Sequence, residues 1–146
     1  MPPACTRVAR ALHSSPSMIR RVLVADDDPD LLAAVVASLR AVGAIVTSAT
    51  TGAELLERLA EDGPFDILVT DISMPWMTGL QVAHSAREAG LTIPLVVMTG
   101  LSDPSIDRRV RALGDRTALL RKPFDLDDLV RAMRSLVDDG AVARGV

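Results

Sequence analysis

Val22-Leu23-Val24-Ala25-Asp26-Asp27-Asp28-Pro29 is the stretch on which the fold turns: an apolar run passes without a polar break into three aspartates and a proline. An unbroken run this short suits a strand covered on both faces, as in a parallel sheet, because a half-exposed strand would alternate apolar with polar residues. Asp28-Pro29 then offers an N-cap and an N1 proline, and Leu32, Val35, Val36 and Leu39 follow at helical spacing. The acidic triplet therefore falls in a strand-to-helix connection.

The same pattern repeats downstream. Ile67-Leu68-Val69 and Leu95-Val96-Val97-Met98 mark further covered strands, so that strands are expected over 21–25, 66–70 and 93–99, with weaker edge strands over 45–49 and 118–120. Thr51 and Glu54 have capping-box spacing ahead of Leu55, Leu56 and Leu59. A third helix is expected over 80–88, ended by Gly90. Asp103-Pro104 opens a fourth that runs through Ile106, Val110 and Leu113 to Gly114. Asp125 opens the last, with Leu126, Leu129, Val130, Met133, Leu136 and Val137 on one face. Five alternations of strand and helix with short connections specify a doubly wound α/β domain with right-handed crossovers, a five-stranded parallel sheet flanked by five helices.

Composition narrows the function classes. A chain of 146 residues holds one ordinary domain, and two full domains are excluded. Sixteen basic against nineteen acidic residues give a net charge of −3, the wrong sign for a protein organised around phosphate backbones, so no nucleic-acid partner is expected. Cys5 is the single cysteine and no Cys/His cluster exists, which excludes an internal disulfide and a zinc site and points to a reducing, cytoplasmic setting. No apolar run approaches the roughly 20 residues of a membrane span, and the arginines and serines of the first eighteen residues leave no apolar stretch for a secretion signal, so no membrane partner is expected. Residues 1–18 read as a disordered extension or as sequence upstream of a start at Met18, 19–139 as the folded domain, and 140–146 as a short flexible tail. Neither end shows a linker to another folded unit, so output is expected through a partner.

Chemistry in such sheets collects at the carboxyl ends of the strands. There the sequence places Asp26, Asp27 and Asp28 after the first strand, Asp71 after the third, Thr99 after the fourth and Lys122 after the fifth. Lys122 is the one lysine beside fifteen arginines. Each pair among Asp26, Asp27 and Asp71 would cost about 4 kcal/mol at 4 Å and an effective dielectric near 20. A divalent cation and the Lys122 ammonium bring the sum from −3 to zero. All-oxygen ligands favour Mg2+, which keeps several waters and completes its shell with phosphate oxygens. With Lys122 and the Thr99 hydroxyl on the remaining phosphoryl oxygens, a carboxylate nucleophile would yield an aspartyl-phosphate.

These stretches together resemble the receiver domain of two-component response regulators, of the single-domain, chemotaxis-regulator-like kind, over roughly residues 20–138. The resemblance is carried by residues 22–29, by Asp66-Ile67-Leu68-Val69-Thr70-Asp71-Ile72-Ser73-Met74-Pro75 with Gly79 following, by Ile93-Pro94 through Met98-Thr99-Gly100, and by Lys122-Pro123-Phe124. It implies a flavodoxin-like sheet in the order 2-1-3-4-5. It further implies that Asp71 accepts a phosphoryl group from a histidine kinase or histidine phosphotransfer protein, and that Asp26, Asp27, Asp71 and the backbone carbonyl of Ser73 hold Mg2+. Thr99 and Lys122 would bind phosphoryl oxygens, and the Lys122–Pro123 peptide would be cis. Activity would be limited to self-phosphorylation and autodephosphorylation. Output would pass to a downstream protein, for which the fourth-helix face with Arg108, Arg109 and Arg111 is the candidate surface, set against a merely solvated face. The family usually carries a switching aromatic three residues before the lysine, where this chain has Leu119.

Other readings account for less. A Mg2+-dependent phosphohydrolase with an Asp nucleophile would use Asp26 and Asp28, but the chain lacks room for a substrate-selecting cap and Asp71-x-x-Met-Pro would go unexplained. A receiver-like interaction module that has lost phosphorylation conflicts with the complete acidic, Thr and Lys set. Flavin binding lacks a phosphate-cradling first loop. Asp28 is expected to cap its helix rather than bind metal. Trp76 would bring an indole to the rim of the site, Ser73 and Leu101 are the positions that the resemblance links to phosphoryl lifetime, His84 is expected to be solvated or partly packed, and His13 and Cys5 are expected to carry no chemistry.

Overall fold

The computed structural model describes residues 19–74, 78–100, 103–114 and 116–144, with side chains through 137. Five strands, β1 Arg21–Ala25, β2 Ile45–Ala49, β3 Ile67–Asp71, β4 Leu95–Thr99 and β5 Thr117–Arg121, form one parallel sheet in the order β2-β1-β3-β4-β5. The helices are α1 Pro29–Ala41, α2 Gly52–Glu61, α3 Gly79–Glu88, α4 Pro104–Arg111 and α5 Leu126–Arg144. The doubly wound order expected from the resemblance is the order found.

Alternation along each covered strand feeds two cores. Val22 and Val24 of β1 pack with Leu32, Val35, Val36 and Leu39 of α1 and with Leu129, Val130, Met133 and Leu136 of α5. Leu23 and Ala25 turn to the other face, among Leu55 of α2, Leu80, Val82 and Ala83 of α3, and Ile106 and Val110 of α4. Both faces being covered is why β1, β3 and β4 read as continuous apolar runs.

Several boundaries differ from the sequence expectation, each for a local reason. β3 is displaced by one residue, because the Asp66 carboxylate is occupied by the Arg20 and Arg21 backbone N–H groups while Asp71 itself pairs with Met98. β4 begins at Leu95, since Pro94 has no N–H and contributes only its carbonyl, to Leu68. α3 starts at Gly79 behind a reciprocal capping box between Thr78 and Gln81. Leu56, placed on the apolar stripe of α2, is 40 % exposed. α5 continues to Arg144 instead of giving way to a tail at Gly140; one interior glycine costs only about 1 kcal/mol, and Ala141 and Ala143 favour the helix. No helix among the described residues is long and apolar enough to cross a membrane.

Candidate functional site

Three strand ends and one loop build an acidic cup. Asp26 follows β1 and is buried, Asp27 beside it is exposed, and Asp71 is the buried last residue of β3. A carboxylate oxygen from each lies within 4.8 Å of the others. Lys122, just past β5, reaches into the cup, its Nζ 3.0 Å from Asp26 Oδ2 and 3.5 Å from Asp71 Oδ2. The lysine is placed by its own backbone, whose N–H donates to the Thr99 carbonyl at 2.7 Å, and the Lys122–Pro123 peptide that follows is cis, as is Gly63–Pro64. Thr99 ends β4, fully buried, one residue beyond the Asp71↔Met98 pair.

Asp28 does what its position before Pro29 suggested. Its Oδ1 accepts from the backbone N–H groups of Asp30 and Leu31, capping α1, while its own N–H donates to Asp26 Oδ1 at 2.9 Å. Asp26 is thereby fixed from two sides, by an amide and by an ammonium.

The segment after β3 is held by alternation. Ile72 and Met74 are buried in the second core, and Ser73 between them is exposed, its N–H donating to Asp71 Oδ1 at 3.3 Å. Gly79 then presses against the strand end: a Cβ there would lie 2.1 Å from the Asp71 carbonyl oxygen, so only glycine permits this approach of α3. The close approach explains why a glycine follows Asp71 at this distance in the sequence.

The electrostatics are those of a site lacking positive charge. Burial pushes the Asp71 carboxyl up to about 6, the neighbouring Asp26 charge adds to the rise, and Lys122 and the Ser73 N–H oppose it. For Lys122, burial works against the ammonium, but the hydrogen bond to Asp26 and the charges of Asp71 and Asp26 outweigh it and raise its pKa. One ammonium leaves two of three carboxylate charges uncompensated. An all-oxygen donor set with surplus negative charge fits a hard divalent cation such as Mg2+.

Asp26, Asp27, Asp71, Ser73, Thr99 and Lys122, picked from the sequence, thus meet at one end of the sheet. Arg108, Arg109 and Arg111 are exposed on α4. His84 is exposed and pairs with Glu88 at 3.1 Å. Leu119 faces a groove of about 340 Å3 with Asp107, Val110, Arg111, Gly114 and Thr117, so the place of the switching aromatic holds an aliphatic side chain beside open space. Trp76, Leu101, His13 and Cys5 lie outside the described residues. Sequence reasoning misses Thr70, whose buried hydroxyl donates to the Asp71 carbonyl at 3.1 Å; a lone hydroxyl in an aliphatic strand is the signal that marks it.

Comparison with known proteins agrees with this geometry. Residues 22–134 match the family described as "Response regulator receiver domain". The response regulator receiver protein CpdR of Brucella abortus is 35% identical over 119 residues, covering 82% of this chain and 98% of that protein. The transcriptional regulatory protein PrrA of Mycobacterium tuberculosis is 39% identical over 118 residues, 80% of this chain but 49% of that protein, so the chain spans about half the length of most of the curated relatives it matches. Among solved structures, the chemotaxis response regulator CheY4 of Vibrio cholerae superimposes with a TM-score of 0.72 at 26% identity, over 82% of this chain and 99% of that one. The alternation of strands, the acidic cup with its lysine, and the match in sequence converge: this chain belongs to the response regulator receiver-domain family.

Proposed function

We propose that Asp71 is the phosphoacceptor of this receiver domain, and that Asp26, Asp27, Asp71 and the Ser73 carbonyl hold the Mg2+ that transfer requires. The observation that carries the reading is the convergence of three carboxylates within 4.8 Å of one another at the strand ends, two of them, Asp26 and Asp71, paired with the single lysine. Asp71 is an in-line nucleophile: a carboxylate oxygen forms the P–O bond as the P–N bond of a phosphohistidine breaks. The departing ring nitrogen takes the bonding pair, and a proton on the other ring nitrogen leaves neutral imidazole. When bound, Mg2+ neutralises carboxylate charge and stabilises a phosphoryl oxygen. Lys122 moves from carboxylate to phosphoryl oxygen, and the Thr99 hydroxyl takes another. Lysine suits this place because a compact ammonium serves a small phosphoryl group where a guanidinium fork demands more room.

Phosphorylation replaces one charge by about two and draws Thr99 and Lys122 inward, shifting a pre-existing equilibrium in the adjoining loops and α4. Output then runs to a downstream protein through the exposed Arg108, Arg109 and Arg111, a face suited to an acidic partner. The donor is a histidine kinase or histidine phosphotransfer protein, in a cytoplasmic setting, and the chain's own chemistry is confined to self-phosphorylation and autodephosphorylation.

The deciding experiment treats wild type and Asp71→Asn with acetyl phosphate or beryllofluoride plus Mg2+, following covalent label and the fluorescence of Trp76, the single tryptophan. Label on wild type and none on Asp71→Asn supports the reading. Equal label on both overturns it. Steady turnover of a phosphoester, lost with Asp26→Asn, would establish a hydrolase, and no response to either reagent a silent interaction module.

A further inference from the structure

We propose that Thr70 is a positioning residue for phosphoryl transfer: its hydroxyl sets the Asp71 peptide, and with it the direction in which the carboxylate leaves the strand end. The inference rests on Asp71 being the acceptor.

β3 is held unequally on its two flanks. Toward β4 the pairing continues through Asp71↔Met98, and the Ile72 N–H donates to the Met98 carbonyl at 3.0 Å. Toward β1 the register stops one residue earlier, at Ala25↔Thr70. The Asp71 peptide has therefore left the ladder on the β1 side, where the chain turns away into the acidic loop. At that point Thr70 Oγ1 donates to the Asp71 carbonyl oxygen at 3.1 Å. Thr70 is completely buried, so water does not compete for the bond.

Gly79 completes the arrangement from above. A Cβ on it would fall 2.1 Å from the Asp71 carbonyl oxygen and 2.7 Å from Thr70 Oγ1, so the first residue of α3 lies directly over this hydrogen bond. Hydroxyl, carbonyl and glycine form a stack that fixes the acceptor's backbone without touching the phosphoryl group. The chemistry depends on such aim: in-line attack requires the carboxylate oxygen within contact of phosphorus, and misplacement by about 1 Å can cost up to roughly 100-fold in rate. Thr70 lies outside the cup and offers nothing to metal or phosphoryl group, so any effect it has must pass through Asp71.

The test compares Thr70→Val, which keeps the branched shape and removes the hydroxyl, with Thr70→Ser, which keeps the hydroxyl. The full chain is phosphorylated with acetyl phosphate at saturating Mg2+, and thermal unfolding is recorded in parallel. The valine variant is expected to accept the phosphoryl group about tenfold more slowly and to bind beryllofluoride correspondingly less tightly, with serine within about twofold of wild type. A valine variant as fast as wild type overturns the proposal, as does a serine variant as slow as valine. Should Thr70→Val not fold, Thr70→Ala against Thr70→Ser carries the same contrast: a slow alanine variant beside a fast serine variant supports the role, and equal rates in the two overturn it. Failure of the acceptor reading shows itself differently, as label on Asp71→Asn or none on wild type, and the proposal then falls with it.

Discussion

The two ends of the sheet use charged side chains in opposite ways. At the amino end, cations meet neutral dipoles. The Arg87 guanidinium donates to the carbonyls of Leu113, Leu91 and Arg116 and to Thr117 Oγ1, and Arg116 reaches back to the Thr92 carbonyl at 2.9 Å. Arg21 donates to the Asp62 carbonyl at 2.7 Å, and Asp66 accepts two backbone N–H groups. Loops from different elements are clipped together there, even though burial and the nearby Arg116 charge both lower the Arg87 pKa. At the carboxyl end, three carboxylates gather and one ammonium pairs with two of them. The first end is held by guanidinium hydrogen bonds to carbonyls and serves as a fixed base; the second is left wanting positive charge and so responds to an ion or a phosphoryl group.

The sharpest way to break this contrast is to subtract charge from the responsive end. Asp26→Asn or Asp27→Asn should weaken Mg2+ binding by about 100-fold, roughly 2.7 kcal/mol, measured by titration calorimetry, while leaving metal-free stability unchanged or higher. Mg2+ affinity equal to wild type in both variants would remove the cup as the metal site. At the fixed end the balance should reverse. Arg87→Met strands partly buried carbonyls and should cost about 2 kcal/mol in urea denaturation, with Mg2+ affinity within about twofold of wild type. A matched loss of Mg2+ affinity would show that the two ends are not separable.

A subtler sharpening uses acid. The Asp71 carboxyl, near 6 in the folded protein against 3.8 for an ordinary aspartate, keeps a proton that the unfolded chain has released between those values. Metal-free stability should therefore rise as pH falls from about 7 toward 4, by about 1–3 kcal/mol before other groups intervene, because the stabilised form is the protonated one. Asp71→Asn should flatten this rise, and an unchanged slope would reject burial and Asp26 as its source. The smallest effect belongs to the Asp107–Arg121 pair, which joins α4 to the strand preceding Lys122 at 3.1 Å. Being largely exposed, it should contribute under about 1 kcal/mol, so Asp107→Asn is expected to shift the unfolding midpoint only slightly. A loss of several kcal/mol would make α4 part of the fixed base.

Much of the responsive end is legible in the sequence because its signals are tied to residue type. Asp26, Asp27, Asp71, Thr99 and Lys122 each stand at the end of an apolar run, and a parallel sheet gathers such ends on one edge. The fixed end is not legible. Arg87 resembles any arginine on an amphipathic helix, since its acceptors are mostly backbone carbonyls that no residue type announces. Thr70 reads as a strand residue, and Leu56 as core, because periodicity gives a face but not the width of the groove that the face meets. The Thr78–Gln81 box is present as a spacing but yields to the stronger apolar signal of Leu80. At Leu119 the sequence departs from the aromatic that the resemblance implies, but the groove beside it, lined also by Asp107, Val110 and Arg111, is visible only in the structure.

The solitary lysine carries a consequence for reagents rather than for signalling. With arginine at every other basic position, the protein offers acylating or biotinylating compounds a single internal primary amine, and that amine sits against two carboxylates in the cup. Occupancy by magnesium or by a phosphoryl mimic would shield it, so the extent of acylation at Lys122, told apart from the α-amine by peptide mass, becomes a one-residue footprint of the loaded state.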